Sequence, residues 1–379
     1  MLIHTAILLI CLNSSGQVKI RLFADQDPEP AFLTVSGGQY KLDVYDTQPV
    51  ILKENDILIL ALLNDKVAVK TKDSGSFICD SLVLRGMTGQ DTFSLRIAGG
   101  PAGRRLYTGD LNCRPDFGKL ILVNTCKIED YVAGVVKAEG GGGKNIEYFK
   151  SQALLVRTYT YKYLGRHLLD GYNLCDNTHC QAFYGITTDT LIRRAALETA
   201  GLVILSHDSI LVNAAFHSNC GGETSLPENV WLSSYPYLKK VVDPYCTSSR
   251  NARWTKSIPL SDWNGYLQNE GYHPLNGITP DYDFAQKTRM PDYTLGTFSI
   301  PFTRIRNDLN LRSAFFSVKT NGDSVTLEGR GYGHGVGLCQ EGAMVMAARG
   351  FSFMQIIDFY YFHVLIRDVK NIKKEMNNF

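Results

Sequence analysis

Hydrophobic and polar residues alternate along the segment that follows residue 16. Polar residues separate Val18, Ile20 and Leu22, and this period of two is typical of a half-buried strand. Two further alternating runs flank Ser36-Gly37-Gly38, and two more flank Asn64-Asp65. Short turns of these residue types between alternating runs predict β-hairpins. The pattern therefore predicts a small β-rich accessory module over residues 17–100.

Helical spacing begins beyond residue 100. The pattern predicts a strand over Leu120–Val123 and a helix over Ile128–Ala138, where apolar residues recur on one side. Gly140–Gly143 should end this helix, because glycine adopts the conformations that follow helix C-termini. A longer helix is predicted over about Asn145–Arg166 and another over Gln340–Ala348. The mixture of helices with many strands predicts an α+β fold.

The first sixteen residues have the pattern of a secretory signal. An apolar run over Thr5–Leu12 precedes a small-x-small pair formed by Ser14 and Gly16. The run is too short to cross a bilayer as a helix. A lipoprotein signal at Cys11 is the alternative, although Ile10 stands where a small residue is usual. We therefore expect a signal peptide and an exported mature chain.

Length and composition set the domain plan and exclude some partners. A chain of 379 residues is long enough for two or three domains. We predict a signal peptide over 1–16, the β-rich module over 17–100, a mixed α+β domain over 101–368 and a polar tail over 369–379. The net charge of +2 creates no strong field. Nothing therefore predicts a nucleic-acid partner, and no later segment predicts a transmembrane helix.

Two of the nine cysteines lie in one short motif. The stretch CDNTHCQ, from Cys175 to Gln181, holds two thiols and one imidazole, and zinc prefers thiolate and neutral imidazole ligands. Cys175, Cys180 and His179, with His167 upstream, are therefore candidate zinc ligands. A Cys175–Cys180 disulfide and free thiols remain alternatives, because an exported chain meets an oxidising compartment.

Glu139 is the main candidate for acid–base chemistry. It ends the first predicted helix, at the negative end of the helix dipole, and apolar neighbours would desolvate its carboxyl. Both effects raise a carboxyl pKa, as a general acid requires at neutral pH. The alternative is an exposed Glu at a fraying helix end. Arg157, with Gln152 nearby, is predicted either to orient substrate or tune the pKa of Glu139, or to be a surface or salt-bridging residue.

Two histidines lie in glycine-rich segments. His217 precedes a small, polar turn, and His334 lies in GRGYGHGVGLCQEGA. This loop lacks the Lys-Ser/Thr ending of a P-loop, so we interpret it as a tight loop whose backbone approaches a ligand. Each histidine alone is more typical of a structural residue. Together they favour a shared central cleft.

These motifs resemble the SpoIID/LytB family, whose SpoIID members are lytic transglycosylases acting in sporulation and whose LytB members are amidase enhancers. The resemblance extends from about Arg105 to His363. It rests on seven blocks in the family's order: RRLYTGDL, LVNTCKIEDYVAGVVKAE, FKSQALLVRTYTY, CDNTHCQAFYG, AAFHSNCGGETSLPENVW, YPYLKKVVDPYC and GRGYGHGVGLCQEGA. The β-rich module lies outside the resemblance.

The resemblance implies a role for each matching residue. The family's catalytic Glu falls on Glu139, its helix Arg on Arg157, and the Tyr and Lys of its PYLK block on Tyr237 and Lys239. Its zinc site supports structural zinc at the cysteines, with a full candidate set of Cys175, Cys180, His179 and His167. The substrate groove would be lined by Gln152, His217, Ser218, Tyr332, His334 and Gln340.

This chain departs from the family pattern after Glu139 and at two cysteines. The glycine run Gly140–Gly143 replaces the usual Met-Pro. Cys220 and Cys339 replace serines in two blocks that should face one cleft. Their joint appearance predicts a disulfide between them.

The sequence offers one convincing carboxylate, whereas an ordinary glycoside hydrolase uses two. A lytic transglycosylase can act with one. We therefore predict cleavage of peptidoglycan strands between N-acetylmuramic acid and N-acetylglucosamine, with peptide-free strands preferred and 1,6-anhydro ends formed. The expected location is the periplasm or cell envelope. One alternative is a non-catalytic, peptidoglycan-binding enhancer of a cell-wall amidase. Another is a zinc-dependent amidase, which the Cys-rich ligand set disfavours.

Overall fold

The computed structural model describes residues 16–26, 28–44, 48–71, 75–100, 103–274 and 280–376. The predicted signal peptide lies outside these residues except for Gly16. The chain forms two compact units. Unit 1 contains the described residues up to Gly140, Gln152–Val203 and those from Arg367 onward, and unit 2 contains Gly141–Ser151 and Ile204–Ile366. Strands and helices occur in both, which confirms the predicted α+β class.

Most strands of unit 1 alternate between buried and accessible positions, as their sequences predict, whereas Lys119–Lys127 is buried from Leu120 to Asn124. In chain order they are β1 Gln17–Leu22, β2 Ala31–Gly37, β3 Gln39–Val44, β4 Val50–Lys53, β5 Ile57–Leu63, β6 Lys66–Thr71, β7 Ser76–Cys79, β8 Leu82–Gly86, β9 Thr92–Ile97, β10 Arg105–Thr108, β11 Asp110–Asp116, β12 Lys119–Lys127 and β13 Leu174–Cys175.

These strands form two sheets, in the orders β13-β1-β12-β11-β8-β3-β4 and β10-β9-β2-β5-β6-β7. Strands β11 and β12 pack against β6 and β5 of the other sheet. The rings of Tyr40, Phe93 and Tyr107 are buried together, with centroids 5.7 Å and 5.5 Å apart for successive pairs. Burial of the alternate apolar residues is therefore what stabilises the pair of sheets.

One predicted hairpin is confirmed and the other is wrong. Strands β5 and β6 pair antiparallel, and Asn64 and Asp65 have φ values of 50° and 55°, as a tight hairpin turn requires. Strand β2 instead pairs with β5 and β9, while β3 pairs with β4 and β8. Ser36-Gly37-Gly38 therefore carries the chain from one sheet to the other. Alternation shows which face of a strand is buried, but not which strand lies beside it.

The predicted boundary near residue 100 falls inside unit 1. Strand β1 pairs with β12, and β8 pairs with β11. Residues 17–100 therefore share a sheet with residues 110–127 and do not form a compact unit of their own.

The three predicted helices lie close to their predicted positions, and the structure adds others that were not predicted. In chain order they are α1 Ile128–Glu139, α2 Ile146–Lys162, α3 Thr190–Glu198, α4 Glu228–Trp231, α5 Leu260–Asn269, α6 Phe302–Asp308, α7 Gln340–Ala348, α8 Phe353–Tyr360 and α9 Val369–Met376. The predicted helix over Asn145–Arg166 ends four residues early, at Lys162. Among the described residues, every helix is too short or too polar to span a membrane.

The segment predicted as a polar C-terminal tail begins with a helix. Helix α9 begins at Val369, which is buried, and the backbone N–H of Val369 donates to the carbonyl of Gly201, 2.9 Å away. A helix this short is marginal on its own, so its contacts with the rest of unit 1 help to hold it.

Unit 2 is built from short strands and helices around an aromatic core. The remaining strands are β14 Leu202–Leu205, β15 Phe216–His217, β16 Arg253–Pro259, β17 Asp292–Leu295, β18 Phe298–Pro301, β19 Phe316–Asn321, β20 Ser324–Arg330, β21 Leu338–Cys339 and β22 Leu365–Asp368. Sheet β16-β20-β19 and hairpin β17-β18 pack with α5 and α6 around Trp263, Tyr293 and Phe302. Strands β15 and β21 pair in parallel and bring His217 opposite Cys339.

Candidate functional site

Glu139 is the last residue of α1. The apolar side of this helix is buried, and the N–H of Gly140 caps it by donating to the carbonyl of Val136 at 2.8 Å. The Glu139 carboxyl is half-buried and accepts a hydrogen bond, 2.5 Å long, from the N–H of Ala182. Burial raises the Glu139 pKa from 4.5 to about 7, although the Ala182 hydrogen bond opposes the shift. The carboxyl can therefore hold or release a proton near neutral pH.

The segment that contacts Glu139 is fixed by close packing on α1. A Cβ atom at Gly134 would lie 2.4 Å from the carbonyl oxygen of Gly185 and 2.5 Å from the ring of Phe183. The rings of Tyr131 and Phe183 lie 4.9 Å apart. Only glycine permits this approach, and the approach places Ala182 beside the helix end.

Asp176 anchors the same segment from the other side, and sequence reasoning missed it. Its buried carboxylate accepts hydrogen bonds from the N–H groups of Phe23 at 2.7 Å and Ala24 at 3.0 Å. It also pairs with Arg105 at 2.9 Å. The residue stands inside the CDNTHCQ motif, so an Asp between two zinc-ligand candidates was the available signal.

The four predicted metal ligands come together. We call His167, Cys175, His179 and Cys180 the Cys–His cluster. Their ligand atoms all lie within 4.8 Å of one another. The Nδ1 atom of His179 is 3.5 Å from the Cys175 sulfur and 3.6 Å from the Cys180 sulfur, and Nε2 of His167 is 3.6 Å from the Cys180 sulfur. Both cysteines are free thiols. The alternative disulfide between Cys175 and Cys180 is therefore not formed.

The donor chemistry of the Cys–His cluster fits a metal ion. Two sulfur and two imidazole nitrogen donors match the preferred ligands of zinc. The other ring nitrogen of His167, Nδ1, lies 3.1 Å from a carboxylate oxygen of Asp170. Such a partner orients a metal-binding imidazole. The cluster could therefore hold a metal ion through four side chains.

Arg157 is completely buried and lies at the other end of α1. Its guanidinium forms an ion pair with Glu129, the second residue of α1. It also donates to the carbonyls of Ala196 at 2.9 Å and Leu202 at 3.3 Å. Ten residues of helix span about 15 Å, so Arg157 is directed away from Glu139. These contacts tie α1 to α2 and to the end of α3. Gln152, on α2, is also buried.

The predicted histidines meet in unit 2. The ring centroids of His217 and His334 are 5.4 Å apart, and the Trp231 ring lies 5.2 Å from His334. Nδ1 of His217 lies 3.1 Å from the carbonyl of Val336, and Nε2 of His334 lies 2.9 Å from that of Phe216. Because carbonyls only accept, these two nitrogens carry the protons.

Both imidazoles are neutral at physiological pH. Burial lowers the His334 pKa to about 4. Burial, helped by the charges of His334 and Arg289, lowers the His217 pKa well below its ordinary value. Nε2 of His217 is buried and has no hydrogen-bond partner among the described residues. The pair therefore offers an unprotonated nitrogen rather than a positive charge.

The glycine-rich loop owes its glycines to contacts within the protein. A Cβ atom at Gly337 would lie 2.2 Å from the carbonyl oxygen of Ala215, and one at Gly331 would lie 2.6 Å from that of Asn219. The predicted close approach of this backbone to a ligand stays a prediction, and the glycines already permit close approach to the segment of the same unit around β15.

The other predicted site residues of unit 2 have varied surroundings. Tyr237 is buried, and its hydroxyl accepts from the N–H of Asn213 at 2.8 Å. Lys239 is exposed, with its Nζ atom 5.0 Å from the Phe362 ring. Ser218 accepts a hydrogen bond from Asn251 at 3.3 Å, Gln340 is buried at the start of α7, and Tyr332 is 46% exposed.

Sequence reasoning also missed Trp231. Its ring is 40% exposed and lies beside His334. It stands in the LPENVW end of a family-like block, where an aromatic residue in a polar loop was the available signal.

The predicted disulfide between Cys220 and Cys339 is not formed. Both residues are free thiols, although they do meet, with the N–H of Cys220 donating to the Cys339 sulfur at 3.3 Å. A third thiol lies beside them, because the sulfur of Cys246 is 3.3 Å from the sulfur of Cys220.

Comparison with known proteins identifies the family. The model of the family SpoIID, described as stage II sporulation protein, matches residues 116–205. An uncharacterized protein of Brachyspira hyodysenteriae is 30% identical over 274 residues, 71% of this chain and 74% of the relative. Stage II sporulation protein D of Bacillus amyloliquefaciens is 30% identical over 262 residues, 63% of this chain and 74% of the relative. An amidase enhancer of Bacillus subtilis is 27% identical over 282 residues, 60% of this chain and 39% of the relative.

The segment matched by the family model contains α1 with Glu139, the buried Arg157 and the complete Cys–His cluster. The protein therefore belongs to the SpoIID/LytB family.

Proposed function

We propose that this protein is a lytic transglycosylase that cleaves peptidoglycan glycan strands, with Glu139 as general acid and base. The supporting observation is the Glu139 carboxyl, half-buried at the end of α1, with a pKa raised by burial to about 7. An ordinary surface carboxyl is ionised at neutral pH and has no proton to donate. A pKa near 7 lets one group act in both directions.

One carboxyl then performs two proton transfers. Protonated Glu139 donates to the glycosidic oxygen between N-acetylmuramic acid and N-acetylglucosamine as the bond breaks. The resulting carboxylate accepts the proton of the muramic acid 6-hydroxyl, whose oxygen bonds to the anomeric carbon. The product carries a 1,6-anhydro ring, and Glu139 is protonated again. The N–H of Ala182 stabilises the carboxylate between the two transfers.

The remaining predicted residues divide into positioning and binding roles. Arg157 acts as a positioning residue, because its guanidinium is engaged by Glu129 and backbone carbonyls. Gln152 is proposed as a further substrate-binding residue. Glycan binding in unit 2 is proposed for the neutral His217–His334 pair with the exposed rings of Trp231 and Tyr332, since aromatic faces pack well on sugar rings. The other proposed contacts in unit 2 are Ser218, Tyr237, Lys239 and Gln340.

Zinc in the Cys–His cluster is proposed as a structural ion. Four side-chain donors complete a tetrahedral shell and leave no position for a reactive water. Cys180 stands two residues before Ala182, so a filled cluster would hold the backbone that donates to Glu139. In this proposal zinc cross-links the four side chains of the Cys–His cluster, and Glu139 carries out the proton transfers.

The proposed location is the periplasm or cell envelope. The substrate lies outside the cytoplasm, and the N-terminal pattern predicts export. A cell-wall amidase is a proposed partner, because removal of stem peptides would supply the preferred peptide-free strands and because one relative is named an amidase enhancer.

Product analysis with a matched pair of variants tests the function. Purified peptide-free glycan strands are incubated with the wild type, Glu139→Gln and Glu198→Gln, and the products are analysed by mass spectrometry. Glu198 also ends a helix of unit 1 but is exposed. We expect 1,6-anhydro products from the wild type and Glu198→Gln, and a loss of at least about 100-fold in Glu139→Gln, as expected for a general acid. Reducing muramic acid ends without anhydro sugar would refute transglycosylation.

A non-catalytic amidase enhancer is the second candidate, favoured by the amidase enhancer among the relatives. It predicts binding to cell walls without release of soluble fragments, and stimulation of a wall amidase that persists in Glu139→Gln. The second proposal would replace the first if two results were obtained together. The wild type would have to be inactive on glycan alone, and Glu139→Gln would have to stimulate the amidase as the wild type does.

A further inference from the structure

A second group of metal-type ligands lies in unit 2. We call Cys220, Asp243, Cys246 and Cys339 the Cys–Asp cluster. Their three sulfur atoms and one carboxylate oxygen all lie within 4.8 Å of one another, and all four residues are buried. We propose that the Cys–Asp cluster binds a thiophilic divalent cation, most simply zinc, as a closed structural site distinct from the Cys–His cluster.

The distances fit a shared ion better than they fit a disulfide. The Cys220 sulfur lies 3.3 Å from the Cys246 sulfur and 3.2 Å from a carboxylate oxygen of Asp243. Two sulfurs on one tetrahedral zinc are about 3.7 Å apart, given Zn–S bonds of ~2.3 Å. Three thiols cannot all pair in disulfides, so oxidation of any two would leave the third as a buried thiol.

The chain presents these ligands from rigid positions. Asp243 and Cys246 are separated by two residues in Asp243-Pro244-Tyr245-Cys246, a spacing common to pairs of zinc ligands in tight turns. Cys339 ends β21 and precedes α7. A Cβ atom at Gly342 would lie 2.4 Å from the Asp243 carboxylate, so the glycine in the first turn of α7 makes room for that ligand.

Groups around the Cys–Asp cluster orient the ligands in their ionised forms. The N–H groups of Cys220 and Gly342 point at the Cys339 sulfur, 3.3 Å and 3.4 Å away. The Asp243 carboxylate accepts from the hydroxyl of Tyr360 at 2.9 Å and from the N–H of Tyr245 at 2.8 Å. Donors of this kind orient ligands and are typical of metal sites.

The charge of the cluster also calls for a cation. Four acidic groups buried together would repel one another if ionised, and a buried carboxylate without a compensating charge is strongly unfavourable. A divalent cation would offset two of these four charges and would let the thiols and the carboxyl act as ionised ligands. Four protein ligands complete its shell, so the ion would be structural and without an open catalytic position.

Metal counting by native mass spectrometry tests the proposal in protein purified without chelators. We expect two ions per chain in the wild type, one for each cluster, and one ion in Cys339→Ser. Cys175→Ser combined with Cys180→Ser should also retain one ion, held by the Cys–Asp cluster. Cys79→Ser is the matched control, because Cys79 lies in β7 outside both clusters, and it should keep both ions.

Cobalt substitution and thiol labelling identify the ligands. In the double variant Cys175→Ser/Cys180→Ser, cobalt should give an intense sulfur-to-metal absorption band, which disappears when Cys339→Ser is added. Alkylation after denaturation with a chelator and without reductant should modify Cys220, Cys246 and Cys339. A double variant that binds no ion while these thiols are all reactive would overturn the proposal, and so would a disulfide between any two of them.

If the variants do not fold, a measurement on the wild type still tests whether the Cys–Asp cluster binds an ion. X-ray absorption of the zinc-loaded wild type should show an average of two and a half sulfur ligands per ion at two ions per chain, from two sulfurs in one cluster and three in the other. A single ion with two sulfurs would refute the Cys–Asp site. This outcome does not depend on glycan cleavage, so it leaves the proposed enzymatic function untouched.

Discussion

At the scale of single residues, Glu139 is a carboxylic acid whose pKa is raised by folding. Its pKa is about 7 in the folded protein, against 4.5 for an ordinary Glu. Between these values the folded state binds more protons than the unfolded state, so stability falls as pH rises through this interval. Above pH 7 the folded protein carries an ionised carboxyl in surroundings that favour the neutral form.

Replacing Glu139 by Gln should therefore stabilise the protein at alkaline pH. Gln keeps the side-chain oxygen that accepts from Ala182 and has no charge to desolvate. We expect a higher melting temperature than the wild type at pH 8 and no advantage near pH 4, measured by scanning calorimetry. Equal melting temperatures at both values would contradict the raised pKa, and Glu198→Gln provides the control.

The same pKa predicts the pH profile of the proposed reaction. Because Glu139 must be protonated to donate its proton, kcat/KM on glycan strands should fall about tenfold per unit above pH 7. Initial rates of 1,6-anhydro product formation between pH 5 and 9 measure this. A profile that stays flat to pH 9 would argue against Glu139 as the acid.

Arg157 forms a salt bridge, which was one of its two predicted alternatives. Its place in a family-like block implied a role beside the catalytic Glu, but its guanidinium is buried against Glu129 and two backbone carbonyls. The sequence could not reveal this, because Glu129 and Leu202 are far from Arg157 along the chain.

We expect Arg157→Ala to destabilise unit 1 by about 3 kcal/mol, the loss typical of breaking a buried ion pair. Urea unfolding at equilibrium measures the change. Arg194→Ala removes an exposed pair with Glu198 and should change stability by less than about 1 kcal/mol. A stable Arg157→Ala variant that has lost only activity would instead return Arg157 to the site of chemistry.

At the scale of elements, the sequence located three helices well, and it did not indicate the other helices or the strand partners. The helices over Ile128–Glu139 and Gln340–Ala348 were predicted to within one residue, because apolar spacing and glycines are local signals. The pairing of β2 and β3 with distant strands depends on contacts that no local pattern contains. Likewise Cys246 and Asp243 were not expected beside Cys220 and Cys339, although their two-residue separation was visible.

The glycine run after Glu139 contains positions of different kinds. Gly141 has φ +62°, so a side chain there is strained, whereas Gly142 lies at ordinary φ with open space around it. Gly142→Ala should therefore be neutral or stabilise by up to about 1 kcal/mol, by restricting the unfolded chain. The glycine run should therefore disturb the position of the Glu139 carboxyl less than its composition suggests.

Gly134 is the sensitive glycine of this region. In Gly134→Ala the new methyl group would meet Gly185 and Phe183 and force α1 away from the segment that carries Ala182. We expect lower stability together with a Glu139 pKa moved from about 7, followed by carbon-13 NMR of the labelled carboxyl. Gly142→Ala is the control, and an unchanged pKa in Gly134→Ala would show that the contact does not set it.

At the scale of the whole molecule, each compact unit carries one four-ligand cluster. Ions that bind only the folded state stabilise it by mass action. We expect a chelator to lower the melting temperature of the wild type, and to lower it less in Cys175→Ser/Cys180→Ser, where one cluster remains. Calorimetry with and without chelator measures both, and a wild type insensitive to chelation would argue against structural metal in either unit.

The order of segments in unit 1 has a consequence for how the protein is made. Its strands come from the first part of the chain, yet α9 begins at Val369 with a hydrogen bond to Gly201. Residues of unit 2 occupy the interval between them. During vectorial synthesis or export, unit 2 can therefore be complete while the sheets of unit 1 still await their last helix. In nascent chains arrested after Ile366, protease should digest unit 1 before unit 2. We therefore expect an export chaperone to bind the N-terminal strands.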